Sequence, residues 1–195
     1  MPLSKRIGLF FGSFNPIHTG HLIIAEFMAD MTDLQQVWFV VSPHNPLKAQ
    51  STLANDFDRL HMVQLAIDDN PKLRASNIEF SLPKPSYTID TMAYLHEKYP
   101  EHNFSLIMGS DNLESIHKWK NYELLLQRYP IHVYARSGSE NISSPANADV
   151  TLHNVPLLNI SSTYIRQMIA GGHSIRYMVP EPVFQFLQGS RLYRQ

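Results

Sequence analysis

The chain has 195 residues, 44% hydrophobic and 17% charged, with a formal net charge of -1 and no cysteine. That is enough apolar material for one domain, with a small helical C-terminal part from about residue 161 to 195. It excludes disulfides, a thiol nucleophile and a Cys-based metal site, and the lack of a basic excess argues against nucleic acid as a partner.

Met1 to Arg6 is polar, and the apolar run that follows is too short for a signal segment. No run nears the ~20 residues that span a bilayer, so a cytoplasmic protein without membrane contact is expected. Ile7-Gly8-Leu9-Phe10-Phe11 predicts a first buried strand, and Gly12-Ser13-Phe14-Asn15-Pro16 a tight turn. Leu22 to Met28 continues as a helix. Gln36 to Val41 predicts a second strand, apolar throughout as in a parallel sheet. The loop Pro43 to Lys48 is stiffened by two prolines. A helix from about Asn55 to Asp69 turns Leu60, Val63, Ala66 and Ile67 inward, and Leu73 to Phe80 is a third extended segment. The loop Ser81 to Tyr87 feeds a helix from Thr88 to Tyr99, stopped by Pro100. Phe104 to Met108 is a fourth strand, with Gly109-Ser110-Asp111 at its exit.

Two short helices, near Leu113 to Trp119 and Tyr122 to Tyr129, precede a fifth strand, Ile131 to Ala135. Gly138 to Asp149 is a polar loop, and Val150 to Val155 a sixth strand. Ser161 to Ala170 is a helix ended by Gly171-Gly172, and Tyr177 to Leu187 a last helix with Pro180 near its start. Strands alternating with helices predict an α/β fold, a doubly wound parallel sheet with C-terminal helices. Such sheets bind ligands beyond the carboxyl ends of their strands, where the strand order reverses. The exits of strands one and four are the natural candidates.

At the first of these exits stand Gly12-Ser13-Phe14-Asn15-Pro16-Ile17-His18-Thr19-Gly20-His21. A helix that starts there aims unpaired N–H groups and its positive dipole end into the turn, which suits phosphate. His18 and His21, three apart, share one face and can donate to phosphoryl oxygens. At Ile160-Ser161-Ser162-Thr163-Tyr164-Ile165-Arg166 a second helix tip offers hydroxyls, N–H groups and a guanidinium one turn on.

GSFNPIHTGH resembles the signature of the HxGH nucleotidyltransferase superfamily, and later segments resemble the nicotinate-nucleotide adenylyltransferases in particular. The resemblance runs from Arg6 to about Arg166. It implies a Rossmann-like strand order that sets the two exits side by side. It also implies that Gly12, Ser13, Phe14, His18 and His21 bind ATP together with Ser162, Thr163 and Arg166 of the SSTYIR stretch. Gly109 and Asp111 resemble the family's GxD at the ribose end. Lys48, and less firmly His44, correspond to the loop over the triphosphate. Ser13, Lys48, Tyr87, Thr88, Trp119 and Arg136 are implied for nicotinate mononucleotide, with Trp119 stacking on the pyridinium ring. The sequence departs from the family at Asn15, where Asp is more frequent, and at Ser137-Gly138, where Pro-Gly often follows the arginine. Asn15 removes a negative charge beside the phosphates and is expected to be tolerated.

The reaction so implied is adenylyl transfer from ATP to nicotinate mononucleotide, releasing pyrophosphate, with His18, His21, Lys48 and Arg166 as the catalytic set. Mg2+ arriving with ATP is the expected cofactor, because it prefers phosphate and water ligands. No metal site formed by the protein itself is expected, since His18, His21 and His44 have no cysteine or fixed carboxylate beside them. The alternatives are a sibling enzyme using nicotinamide mononucleotide or phosphopantetheine, a non-catalytic nucleotide-binding module, and a metal-binding or scaffold protein. A homo-oligomer is compatible with the sequence.

Overall fold

A computed structural model describes residues 4–43, 53–135 and 148–194. Six parallel strands form one sheet: β1 (Arg6–Gly12), β2 (Gln36–Val41), β3 (Leu73–Ser76), β4 (Asn103–Gly109), β5 (Ile131–Tyr134) and β6 (Val150–His153). Their order is β3-β2-β1-β4-β5-β6, so the direction of progression reverses between β1 and β4. This is the Rossmann order, and the crevice of such a sheet opens at that reversal. Among the described residues the α-helices are α1 (Thr19–Met31), α2 (Asp56–Ile67), α3 (Thr88–Lys98), α4 (Ser110–Glu114), α5 (Tyr122–Arg128), α6 (Ser162–Ala170) and α7 (Glu181–Gly189).

The strands are apolar on both faces because both faces are covered. Phe10, Val37, Phe39, Val41 and Ile107 pack on the side of α1, α2 and α7, against residues such as Met28, Val63 and Leu187. Their neighbours Leu9, Trp38, Val40, Leu106 and Met108 pack on the opposite side, against Met92 and Leu95 of α3 and Leu125 of α5. The period of two along each strand thus separates the residues into two cores. Fully burying each such side chain contributes about 1.5–3 kcal/mol. Among the described residues, no helix is long and apolar enough to cross a membrane.

Three elements differ from the expectation. The helix expected near Leu113 to Trp119 is α4, which begins at Ser110 and ends at Glu114, followed by a 3-10 turn, Ile116–Lys118. The third extended segment is a strand for only four residues and then tightens into a 3-10 turn, Ile78–Ser81. The buried Glu79 carboxylate there draws hydroxyls from the returning chain, which turns the backbone away from the sheet. The last helix begins at Glu181, not Tyr177, since Tyr177 has a φ of 72° and Pro180 occupies the N-cap. With Pro182 following, two residues lacking an N–H fit only a first turn.

Candidate active site

A cavity of about 690 Å³ opens at the carboxyl ends of β1 and β4. Its walls include Gly12, Ser13, His18 and His21 on one side and Ser162, Thr163 and Arg166 on the other. The volume lies within the range of small-molecule sites.

The first wall is built by the turn after β1. Phe14 takes a φ of 43° and tucks its ring, 2% exposed, beneath the turn. A Cβ on Gly12 would come within 2.7 Å of that ring, so the turn needs glycine at its start. Phe14, which the family resemblance implies for ATP, is among the residues lining the cavity, and its ring packs edge-on against Phe10, Phe39 and His21, with centroids 5.8, 5.3 and 5.2 Å away. The Asn15-Pro16 peptide is cis.

His18 is the N-cap of α1 and His21 its third residue. The imidazoles stack, with centroids 3.7 Å apart, and a Cβ on Gly20 would approach the His18 ring to 3.1 Å. The glycine of HxGH therefore leaves room for the first ring. His18 N–H donates to His21 Nδ1 at 3.2 Å. The neutral His21 ring accepts at Nδ1 and so carries its proton on Nε2. The α1 tip differs from the open amide cradle expected of it. Thr19 N–H donates to the Met178 carbonyl at 2.9 Å and His21 N–H to the His18 carbonyl at 2.9 Å. Imidazole edges, more than bare amides, are what α1 offers to an anion.

The second wall is the start of α6, and it is bonded directly to the first. Ser162 Oγ donates to the Pro16 carbonyl at 2.9 Å, and Arg166 Nη1 to the Asn15 carbonyl at 2.9 Å. Arg166 Nη2 reaches Thr163 Oγ1 at 3.4 Å. Ser161 caps the helix by accepting Tyr164 N–H at 3.1 Å. The Ser162 hydroxyl proton is therefore directed inward, and Ser162 offers an anion its main-chain N–H, which has no acceptor within the helix. The early histidines and Arg166 line one cavity although they lie some 150 positions apart in sequence (|i−j| = 151 between Arg166 and Asn15).

Trp119 and Asn112 line the same cavity near β4. Gly109 is the N-cap of α4, and Asp111 is exposed in its first turn, next to Asn112. Tyr87 and Thr88 stand outside the cavity walls, at the start of α3. Lys120, next to Trp119, bonds Asp90 of α3 at 2.8 Å and lies 4.8 Å over the Tyr87 ring. These contacts tie the Trp119 segment to the α3 tip. Lys48, His44 and Arg136 lie outside the described residues, as does the polar loop up to residue 147. Among the described residues, no cluster of three or more His, Cys, Asp or Glu could hold a metal ion.

Sequence reasoning missed two buried charged groups that hold the site. Arg59 of α2 is 0% exposed and bonds the Ser13, Ser42, Pro43 and Ala54 carbonyls and the Asp56 carboxylate. It follows a polar helix start, but its spacing from Met62 and Val63 marks an inward position. Glu79 accepts from Thr91 Oγ1 at 2.8 Å, from Ser86 Oγ at 3.0 Å and from the Ser42 side chain. It thereby joins the β2 exit to the loop before α3.

Burial raises the Glu79 carboxyl above the usual Glu range, and the three hydroxyl bonds only partly oppose this. The folded state then binds that proton more tightly than the unfolded chain. Its stabilising contribution is complete below the ordinary Glu value and is lost as pH rises through the raised one. Glu79→Gln is expected to gain stability relative to the unsubstituted protein as pH climbs from about 4 to 8. Thermal melting at several pH values checks this, and two parallel curves would contradict it.

Known proteins resemble this chain in sequence and in fold. A cytidylyltransferase-like family model matches residues 9–168. A protein of Cytophaga hutchinsonii named probable nicotinate-nucleotide adenylyltransferase is 53% identical over 188 residues, covering 96% of this chain and 98% of its own. One of Flavobacterium psychrophilum with the same name is 50% identical over 192 residues, covering 97% and 100%. The fold is similar to that of Plasmodium falciparum nicotinic acid mononucleotide adenylyltransferase complexed with NaAD, with a TM-score of 0.80, 20% identity and 97% of each chain covered.

Proposed function

The chain belongs to the cytidylyltransferase-like family and, within it, to the nicotinate-nucleotide adenylyltransferases, and from that membership we propose which of its groups perform each part of the reaction. The enzyme transfers the adenylyl group of ATP to nicotinate mononucleotide, giving nicotinate adenine dinucleotide and pyrophosphate. The 5′-phosphate of the mononucleotide attacks the ATP α-phosphorus in line. Its second pKa is near ~6, so at neutral pH it is mostly dianionic and needs no general base. Catalysis is then positioning and charge stabilisation.

His21 donates from Nε2 to an α- or β-phosphoryl oxygen, with His18 stacked beside it. Arg166 and the Ser162 and Thr163 amides hold the β- and γ-phosphates, and Lys48 adds a further cation. Ser13 sits between the two phosphate groups. Gly109 and Asp111 meet the adenosine ribose. Trp119 stacks on the pyridinium ring, Thr88 opens a helix tip that suits the carboxylate, and Tyr87 and Arg136 are assigned to the same substrate by the family resemblance. Enzymes of this kind use a divalent metal with ATP. The donors lining the cavity are imidazole, guanidinium, hydroxyl and amide, which suit phosphate oxygens; Mg2+ held by triphosphate and water would neutralise charge on the leaving group. The cysteine-free sequence fits the reducing cytoplasm.

One observation carries this assignment: Arg166 and Ser162 bond the carbonyls of Asn15 and Pro16, so two helix tips face one cavity. The test is pyrophosphate release from MgATP with nicotinate mononucleotide, nicotinamide mononucleotide or phosphopantetheine as acceptor. The acid is expected to be preferred, and faster turnover of the amide or of phosphopantetheine would reverse the acceptor assignment.

A further inference from the structure

The C-terminal tail reaches the nucleotide site from behind. After α7 the chain turns at Ser190, whose Oγ accepts Leu192 N–H at 3.3 Å and donates to the Leu187 carbonyl at 3.2 Å. Leu192 and Tyr193 then pack on the core that α1, α2 and α7 cover. Tyr193 has a φ of 62°, a left-handed conformation that a large side chain adopts only when its surroundings impose it. Its hydroxyl donates to Asn15 Oδ1 at 2.6 Å, across 178 positions of sequence. The same Asn15 oxygen accepts Ala54 N–H at 3.1 Å, and the Asn15 main-chain carbonyl accepts Arg166 Nη1. Asn15 is 3% exposed, so these bonds are shielded from water.

We propose that Tyr193 is a positioning residue for adenylyl transfer: through Asn15 it fixes the turn that carries His18 and the carbonyl that holds the Arg166 guanidinium. The proposal rests on the assignment of those two groups to the ATP phosphates. It also accounts for asparagine at position 15. An amide oxygen accepts from both the phenol and Ala54 N–H without adding negative charge beside a polyphosphate. Burial pushes the Tyr193 phenol up, so it remains a donor throughout the neutral range.

Tyr193→Phe keeps the ring and removes the one hydroxyl. Misplacing a phosphate grip by a fraction of an ångström predicts a loss of about tenfold in kcat/KM for ATP. The KM for nicotinate mononucleotide is expected to stay within about twofold, since neither residue is among those assigned to that substrate. A merely structural role would lower the yield of folded enzyme and leave both KM values in place. Asn15→Ala should cause a similar loss, and the double variant should be no worse than Asn15→Ala alone. Unchanged ATP kinetics in Tyr193→Phe, equal losses toward both substrates, or multiplying effects in the double variant would each overturn the proposal. If Asn15→Ala does not fold, the Tyr193→Phe kinetics decide alone. Calorimetric ATP affinity without any acceptor reads Tyr193 even if the acceptor assignment fails, and a wild-type affinity for ATP in Tyr193→Phe would then refute it.

Discussion

Replacing His21 with alanine is expected to lower kcat by about 10²–10³, the usual cost of removing one donor aimed at transition-state charge. His21 meets the requirement by geometry. Its Nδ1 is occupied by His18 N–H, and its ring is held edge-on by Phe10 and Phe14 at 6.1 and 5.2 Å. The Nε2–H donor is thereby set before substrate arrives, so little reorganisation is needed as charge develops. The substitution also leaves the His18 N–H without this acceptor, which costs about 1 kcal/mol of stability, well within what a folded domain tolerates. The expected signature is a large fall in kcat with a cooperative melt a few degrees below the original. His21→Gln, which keeps an N–H donor of similar reach, should recover part of the rate. Turnover within a few-fold of normal in His21→Ala would remove this imidazole from the chemistry.

The legible part of this protein is the part whose groups are neighbours in sequence. β1, its turn and α1 form one continuous stretch, and so do Thr163 and Arg166, whose side chains meet one helical turn apart. Strands read from apolar runs fell on observed strands because a parallel sheet buries both faces and leaves no polar alternation to misread. What was not legible is the means by which those stretches are held together. Arg59 reaches Ser13 across 46 positions, Thr19 Oγ1 finds the Met178 carbonyl across 159, and Tyr193 finds Asn15 across 178. No local pattern announces such partners. The α1 tip departs from the open amide cradle expected there for the same reason at Thr19, whose N–H is taken by a segment arriving from the far end of the sequence. The short β3 is a further case, since the hydroxyls that bend it away at Glu79 come from Ser42, Ser86 and Thr91.

Arg59 carries the second large expected effect. Its guanidinium is fully buried, and its donors reach four main-chain carbonyls and one carboxylate, Asp56 Oδ1 at 2.7 Å. Those acceptors belong to the β1 exit, the β2 exit and the start of α2, so one side chain fastens the floor of the proposed nucleotide site to two strands and a helix. Arg59→Met fits the volume but strands the carbonyls and leaves Asp56, among the described residues, with the exposed Lys84 as its remaining cationic partner. Removing one member of a buried, fully bonded charged cluster costs about 3–5 kcal/mol. At roughly 2–4 °C per kcal/mol for a domain of this size, the melting temperature should fall by about 10 °C. Arg59→Lys should recover little of it, because an ammonium has three donors and no planar fork to span five acceptors. ATP affinity should weaken in both variants, since the Ser13 carbonyl that Arg59 holds is in the turn leading to His18. A melt within 2–3 °C of the original in Arg59→Met, with ATP binding unchanged, would mean that water replaces the guanidinium at these carbonyls and that the turn is fixed from α6 and the tail alone.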